Sequence, residues 1–254
     1  MTGPPAGDFD YNTHGGGYVL RRRTDPRIAA YVHAALGRAR TVVNVGAGAG
    51  SYEPGDRRVV AVEPSARLRA QRPAGLAPAI GAVAEALPFP DDTFDAAMAT
   101  VTVHHWSDLE RGLGELRRVT RGPVVVLTFD PDVLGPHWIA DYAPELLAFE
   151  SRRMPAIDRV QAALGGSVTV TSVPIPADCV DGFVEAFYGR PECLLDPTVR
   201  KAQSAWGHIA SDAAARAVDR LRADLVSGAW DRRHAALRYQ PALVGSLRLV
   251  TAHP

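Results

Sequence analysis

Cysteine is scarce in this chain of 254 residues: Cys179 and Cys193 are the only two. So few exclude a disulfide framework or a Cys-x-x-Cys metal site, and they point to a reducing compartment. An excess of either charge is missing too, since 28 Lys+Arg stand against 28 Asp+Glu. Duplex DNA and anionic lipid are usually gripped by surplus basic charge, so the composition predicts no nucleic-acid and no membrane partner. Lysine is nearly absent, with Lys201 alone among arginines. No apolar run approaches the roughly eighteen residues of a membrane helix, and Met1-Thr-Gly-Pro-Pro lacks the apolar core of a secretory signal. Together these absences predict a cytoplasmic protein.

What is present is a chain with 46% apolar residues, long enough to build a full core without staples. Short, almost wholly apolar runs occur at Thr41-Val-Val-Asn-Val, Val59-Val-Ala-Val, Ala79-Ile-Gly-Ala-Val, Phe94 to Val101 and Pro123 to Phe129. Each reads as a strand buried on both faces. Amphipathic segments lie between and around them: one from Thr24, with Pro26 just inside it, and one from Ser107, whose spacing to Glu110 is that of a capping box. Strands alternating with helices predict a doubly wound α/β sheet, mostly parallel. After residue 135 helical patterning dominates, over roughly 137–153, 156–165, 179–188, 197–208 and 211–227, interrupted by strand-like runs at Ser167–Val173 and Leu247–Thr251. The expected plan is a single domain over 1–254, with a mobile arm at 1–23 and a helical cap at 177–242 inserted between the last two strands.

The most informative stretch is Gly46-Ala47-Gly48-Ala49-Gly50, directly after a buried strand. Glycines at alternate positions let the backbone turn sharply and approach a ligand closely. The next strand ends on Glu63, placed to take both hydroxyls of a ribose. Only six residues, including Pro54 and Gly55, separate Gly50 from Arg57. That is too short for a full crossover helix, so a pyrophosphate-bearing dinucleotide loses ground to a nucleoside without phosphates.

In order, these motifs followed by Ala84-Glu85-Ala86-Leu87-Pro88-Phe89-Pro90-Asp91 and His104-His105-Trp106-Ser107-Asp108 resemble the class I S-adenosylmethionine-dependent methyltransferases, over about 40–130. The resemblance implies a seven-stranded Rossmann-like sheet whose last strand is antiparallel. It also implies S-adenosylmethionine as cofactor and S-adenosylhomocysteine as product, with a small-molecule acceptor methylated on N, O or C. Gly46, Ala47, Gly48 and Gly50 would line the cofactor loop, Glu63 with Pro64 would hold the ribose, Ala84 and Glu85 would flank adenine, and Thr100 would close the site. Asn44 and Val83 depart from the family, which often has acids there. Tyr18 and Arg22 match an N-terminal Tyr-x-x-x-Arg segment that closes over the cofactor, although Arg21-Arg22-Arg23 is equally a solvated charge run.

The acceptor is expected above the end of the fourth strand. There His104 and His105 are candidates for a general base, with packing beside the cofactor as the alternative. Trp106 is expected as a wall of the adenine or acceptor pocket. Phe183, Phe187 and Tyr188 fall at helical spacing, which reads either as acceptor-binding or as core. Neither an Asn-Pro-Pro-Tyr nor a Pro-Cys pair of the similar nucleic-acid enzymes is present, and no His-Glu-x-x-His or paired strand-end acids predict a metal. Two rival readings remain: a cofactor-binding protein of this fold that does not methylate, including a cyclase, and an NAD(P)-dependent oxidoreductase.

Overall fold

The computed structural model describes residues 18–134 and 137–254. Strands β1 (Thr41–Val45), β2 (Arg58–Val62), β3 (Ala96–Thr100) and β4 (Val124–Phe129) are parallel neighbours. They are followed by β5 (Ser167–Ser172), the short strands β6 (Ile175–Pro176) and β7 (Ala242–Leu243), which pair with each other, and finally β8 (Leu247–His253). The main sheet runs β2-β1-β3-β4-β8-β5, with β8 antiparallel to both β4 and β5. It therefore has six strands. In the expected seventh place, beside β2, the run Ala79–Val83 makes only a single bridge, Val62 to Ile80. Pro78 and Gly81 flank that bridge, and neither residue supports a ladder.

Residue alternation along the strands separates two cores. Val42, Met98, Val125 and Leu127 face the helix Pro26–Ala35 through Ile28 and Val32, together with Leu36 just after it. Val43, Ala97, Ala99, Val124 and Val126 face the helix Leu109–Arg118 through Leu109, Leu113 and Leu116. A third core lies away from the sheet, where Trp138 and Leu146, from the segment between β4 and β5, join Leu221 around the fully buried Trp230 of the segment expected as a cap. No helix among the described residues is long and apolar enough to cross a membrane.

Several local expectations shift by one residue or one element. Asp25, not Thr24, caps the first of these helices by accepting from the Arg27 N–H at 3.0 Å; Thr24 Oγ1 instead accepts from the Tyr52 N–H at 2.8 Å. Asp108 rather than Ser107 caps the helix Leu109–Arg118. The expected helix over 179–188 is reduced to a 3-10 turn at Val184–Phe187, because Gly182 packs its N–H on the Arg21 carbonyl and cannot continue a helical ladder. An eleven-residue helix, Ala229–Tyr239, had no clear sequence signal, since Trp230 is its one buried residue. All the parallel strands point their carboxyl ends at one rim, where open α/β sheets bind ligands.

Candidate functional site

At that rim β1 gives way to Gly46, Gly48 and Gly50, with φ of +69°, +51° and +101°. Only glycine adopts such angles without strain. A Cβ on Gly46 would sit 2.1 Å from Thr102 Oγ1, and one on Gly50 would sit 2.3 Å from Leu76 Cδ1. At Gly48 a Cβ would meet nothing within 4 Å, because this residue opens onto a cavity of about 940 Å³. Gly46, Ala47, Gly48, Glu63, Pro64, Ala84, Glu85 and Thr100, all expected at a cofactor site, line this one cavity. Gly50 does not, because it turns toward Leu76 and Arg72. The side chain of Tyr18 and residues 1–17 of the expected arm lie outside the described part of the structure.

Glu63 is 5% exposed. Its Oε2 accepts from the Gly48 N–H and its Oε1 from the Ser65 N–H, both at 2.8 Å. Burial pushes its pKa up, while the two backbone bonds and the charges of Arg69 and Arg72 pull it down. Each carboxylate oxygen has two lone-pair directions, so the same group that shapes the glycine loop retains capacity for hydroxyl donors. Glu85 acts as a strut across the cavity mouth, its Oε1 accepting from the Ser107 N–H (2.7 Å), Ser107 O–H (2.8 Å) and Asp108 N–H (3.1 Å). Behind the loop, Asn44 Nδ2 donates to Glu53 Oε1 at 3.0 Å, and Glu53 pairs with Arg72 through two bonds of 3.0 and 2.9 Å. Glu53 and Arg72, nearly inaccessible, were not singled out by the sequence; an acid in the unusually short crossover was the available signal.

Beyond β3 the chain turns at Val101, whose φ is +52°. A positive φ on a β-branched residue is a strained conformation of the kind that clusters at functional sites. The Val101 N–H is held by the Leu127 carbonyl at 2.7 Å. The following 3-10 turn, Val103–His105, carries two imidazoles whose centroids are 4.1 Å apart. Val101 and His105 line both the larger cavity and a second one of about 570 Å³; His104 lines the second only. Burial, reinforced by His105, Arg153 and Arg22, holds the His104 pKa well below 6.5, so its imidazole is neutral at pH 7.

The second cavity has apolar walls from Val101, Phe129, Leu134, Leu147, Met154 and Phe183, and polar groups from Arg22, His104, Glu150, Arg153, Glu185 and Gln203. Phe183 thus lies where an acceptor-binding residue was expected. Phe187 and Tyr188 do not: Phe187 belongs to the cap core, and the Tyr188 ring is buried with its O–H donating to the Gln240 carbonyl at 2.7 Å. Helical spacing misplaced them because the segment is a 3-10 turn, which changes the facing of successive side chains. Trp106 lines the larger cavity rather than the second, its ring lying against Gly112, where a Cβ would come within 2.4 Å of Cε3. Arg22 also departs from its expected place. It lines the second cavity and bonds Asp181 at 2.6 Å, and Asp181 accepts from the Tyr52 O–H at 2.8 Å. This chain of contacts joins the N-terminal segment, the cap and the glycine turn.

Glu150 and Arg153, an i,i+3 pair at 2.6 Å, and Gln203 escaped the sequence reading, which saw only helical periodicity there. Among the described residues no group of three or more His, Cys, Asp or Glu is arranged to hold a metal ion.

Comparison with known proteins agrees with this geometry. The sequence profile of the family described as methyltransferase domain matches residues 43–126. A crystal structure from Anabaena variabilis ATCC 29413, described as a methyltransferase from an antibiotic biosynthesis pathway, superposes with a TM-score of 0.84 at 28% identity, covering 91% of this chain and 98% of that one. A SAM-dependent methyltransferase structure from Thermotoga maritima has a TM-score of 0.51 at 21% identity, covering 63% of this chain and 79% of that one. The [4+2]-cyclase SpnF shares the fold, with a TM-score of 0.52 at 14% identity over 89% of this chain and 80% of that one. No curated protein sequence matches the chain. Residues 43–126 thus match the methyltransferase-domain family, and the fold built around them is similar to that of a methyltransferase.

Proposed function

We propose that the protein transfers a methyl group from S-adenosylmethionine, held in the glycine-loop cavity, to a small-molecule acceptor held in the second cavity. The observation that carries this reading is the shared wall: Val101 and His105 border both cavities at the carboxyl end of β3. The residues fit a nucleoside cofactor. Gly48 presents bare backbone to the larger cavity, and the buried Glu63 carboxylate lines it with acceptor capacity for a ribose diol. The bound cofactor supplies an electrophilic sulfonium methyl. The chain's own contribution is positional: Val101 is pinned to Leu127, His105 borders both guests, and the apolar walls exclude water. Alignment and desolvation of two bound reactants supply on the order of 7–11 kcal/mol at best. The pathway described for the Anabaena relative supports an acceptor of small-molecule size.

Isothermal titration with S-adenosylmethionine and S-adenosylhomocysteine tests the cofactor half of the reading, and absence of binding by either sinks it. Formation of S-adenosylhomocysteine with an added acceptor, followed by mass spectrometry, tests the transfer. A second reading, a cofactor-binding catalyst that does not methylate, draws on His104, which burial holds neutral and makes a weak base. It predicts acceptor conversion without S-adenosylhomocysteine. The short crossover after Gly50 weighs against NAD(P) chemistry, and a null titration with NADH is expected.

A further inference from the structure

Among the uncharged side chains that line the second cavity, two buried polar atoms have no hydrogen-bond partner. They are Nδ1 of His104 and Nε2 of Gln203. Gln203 is 4% exposed, and its Oε1 accepts from the Trp206 indole N–H at 3.2 Å. An indole N–H only donates, so the amide atom facing it must be the oxygen. The Gln203 NH2 group is thereby left as an unused donor on a residue that lines the cavity. A buried donor without a partner destabilises the empty site, and a ligand oxygen in the right place removes that cost.

The charged groups around these two atoms are already paired. Arg22 is bonded to Asp181 and Arg153 to Glu150, each at 2.6 Å, and Arg153 also donates to Ser204 Oγ at 2.9 Å. The Glu185 carboxylate accepts from the Ser246 N–H and O–H. The charges of these groups are already balanced within the protein, so an ionic guest would bring a net charge into the cavity, whereas an uncharged one keeps the balance.

We propose that the acceptor is an uncharged molecule with an apolar body, a carbonyl oxygen that accepts from Gln203 Nε2 and a hydroxyl that donates to His104 Nδ1, as in a phenol or enol bearing a ketone or ester. The inference rests on the reading that this cavity holds the acceptor. Gln203 then determines specificity by recognising the carbonyl, and His104 acts as a neutral hydrogen-bond acceptor. The apolar contacts of Phe129, Leu147 and Phe183 hold the body between them.

The test is binding of a matched set of probes to the protein saturated with S-adenosylhomocysteine. Meta- and para-hydroxyacetophenone carry both groups, acetophenone and phenol carry one each, and para-hydroxybenzoate replaces the ketone by a charge. At least one hydroxyacetophenone is expected to bind about tenfold more tightly than any of the other three. Gln203→Leu should erase its advantage over phenol, and His104→Phe should erase its advantage over acetophenone. Gln203→Glu, nearly isosteric, repeats the first result if the leucine variant does not fold. All three variants should bind S-adenosylhomocysteine as wild type does. Failure of wild type to bind S-adenosylhomocysteine would overturn the cofactor reading itself. With that binding intact, the acceptor proposal is overturned by preference for para-hydroxybenzoate, by no hydroxyacetophenone binding, or by an advantage that survives Gln203→Leu and Gln203→Glu.

Discussion

The two cavities that meet at Val101 and His105 are made in different ways. The larger is lined by backbone and small residues from short contiguous motifs, all between Gly46 and Ser107. The smaller is assembled from segments scattered between Arg22 and Ala205, and its character comes from side chains. The turn at Gly46 tolerates little change of shape, because a Cβ there meets Thr102, whereas Gly48 opens onto the cavity. A cavity made of side chains from a helical cap can be relined without touching the sheet. The first construction suits a cofactor common to a family, and the second suits an acceptor peculiar to one protein.

The comparison is broken most severely at Gly46. Gly46→Ala forces a Cβ onto Thr102 at a positive φ, so loss of S-adenosylhomocysteine binding by more than about a hundredfold is expected in titration, with destabilisation on the order of 2–4 kcal/mol in urea melts. Asp181→Asn tests the link between the regions. It removes the negative charge that Asp181 sets against the Arg22 guanidinium and should cost about 3 kcal/mol of stability. Its effect on cofactor affinity should be smaller than that of Glu63→Gln. The latter variant keeps the shape but puts an NH2 group, which cannot accept, against one of the two backbone N–H donors, and a fall in S-adenosylhomocysteine affinity of about tenfold is expected.

The acid limb of stability sharpens the contrast from the side-chain end. His104 in the second cavity and His137 in the cap are both held below 6.5 by burial, His137 to about 3. Above pH about 6.5 both are neutral folded or unfolded and contribute no pH dependence. Below it the unfolded chain takes up protons that the folded chain refuses, so stability falls with pH by about 1.4 kcal/mol per unit and per histidine, down to the folded pKa. Melting temperatures between pH about 7.5 and 5 should show this slope, and His137→Phe should reduce it. The smallest effect belongs to Gly48→Ala. No protein atom opposes its Cβ, so stability should fall by only about 1 kcal/mol, the cost of the left-handed backbone. Cofactor affinity should fall more, because the methyl group enters the cavity.

The same contrast explains what was legible before the structure. Gly46, Gly48, Glu63, Pro64, Ala84, Glu85 and Thr100 sit where strand ends and glycine turns put them, and short, almost wholly apolar runs announce those ends. The sheet was legible for the same reason, except where Pro78 and Gly81 reduce a strand to one bridge. Gln203, Glu150 and Arg153 were not, because which face of a segment outside the sheet looks inward depends on tertiary packing that no local period encodes. Phe187 and Tyr188 show the converse: aromatic residues at helical spacing that the cap uses for its own core. Arg22 was singled out from its spacing, but its partner Asp181 lies 159 residues away and has no local signature.

The division of labour between the cavities is tested most directly by titrating S-adenosylhomocysteine into wild type, Glu63→Gln and Gln203→Leu side by side. The account predicts one-to-one binding by wild type, about tenfold weaker binding by Glu63→Gln, and wild-type binding by Gln203→Leu. Absence of binding by wild type, or equal weakening by the two variants, would contradict it.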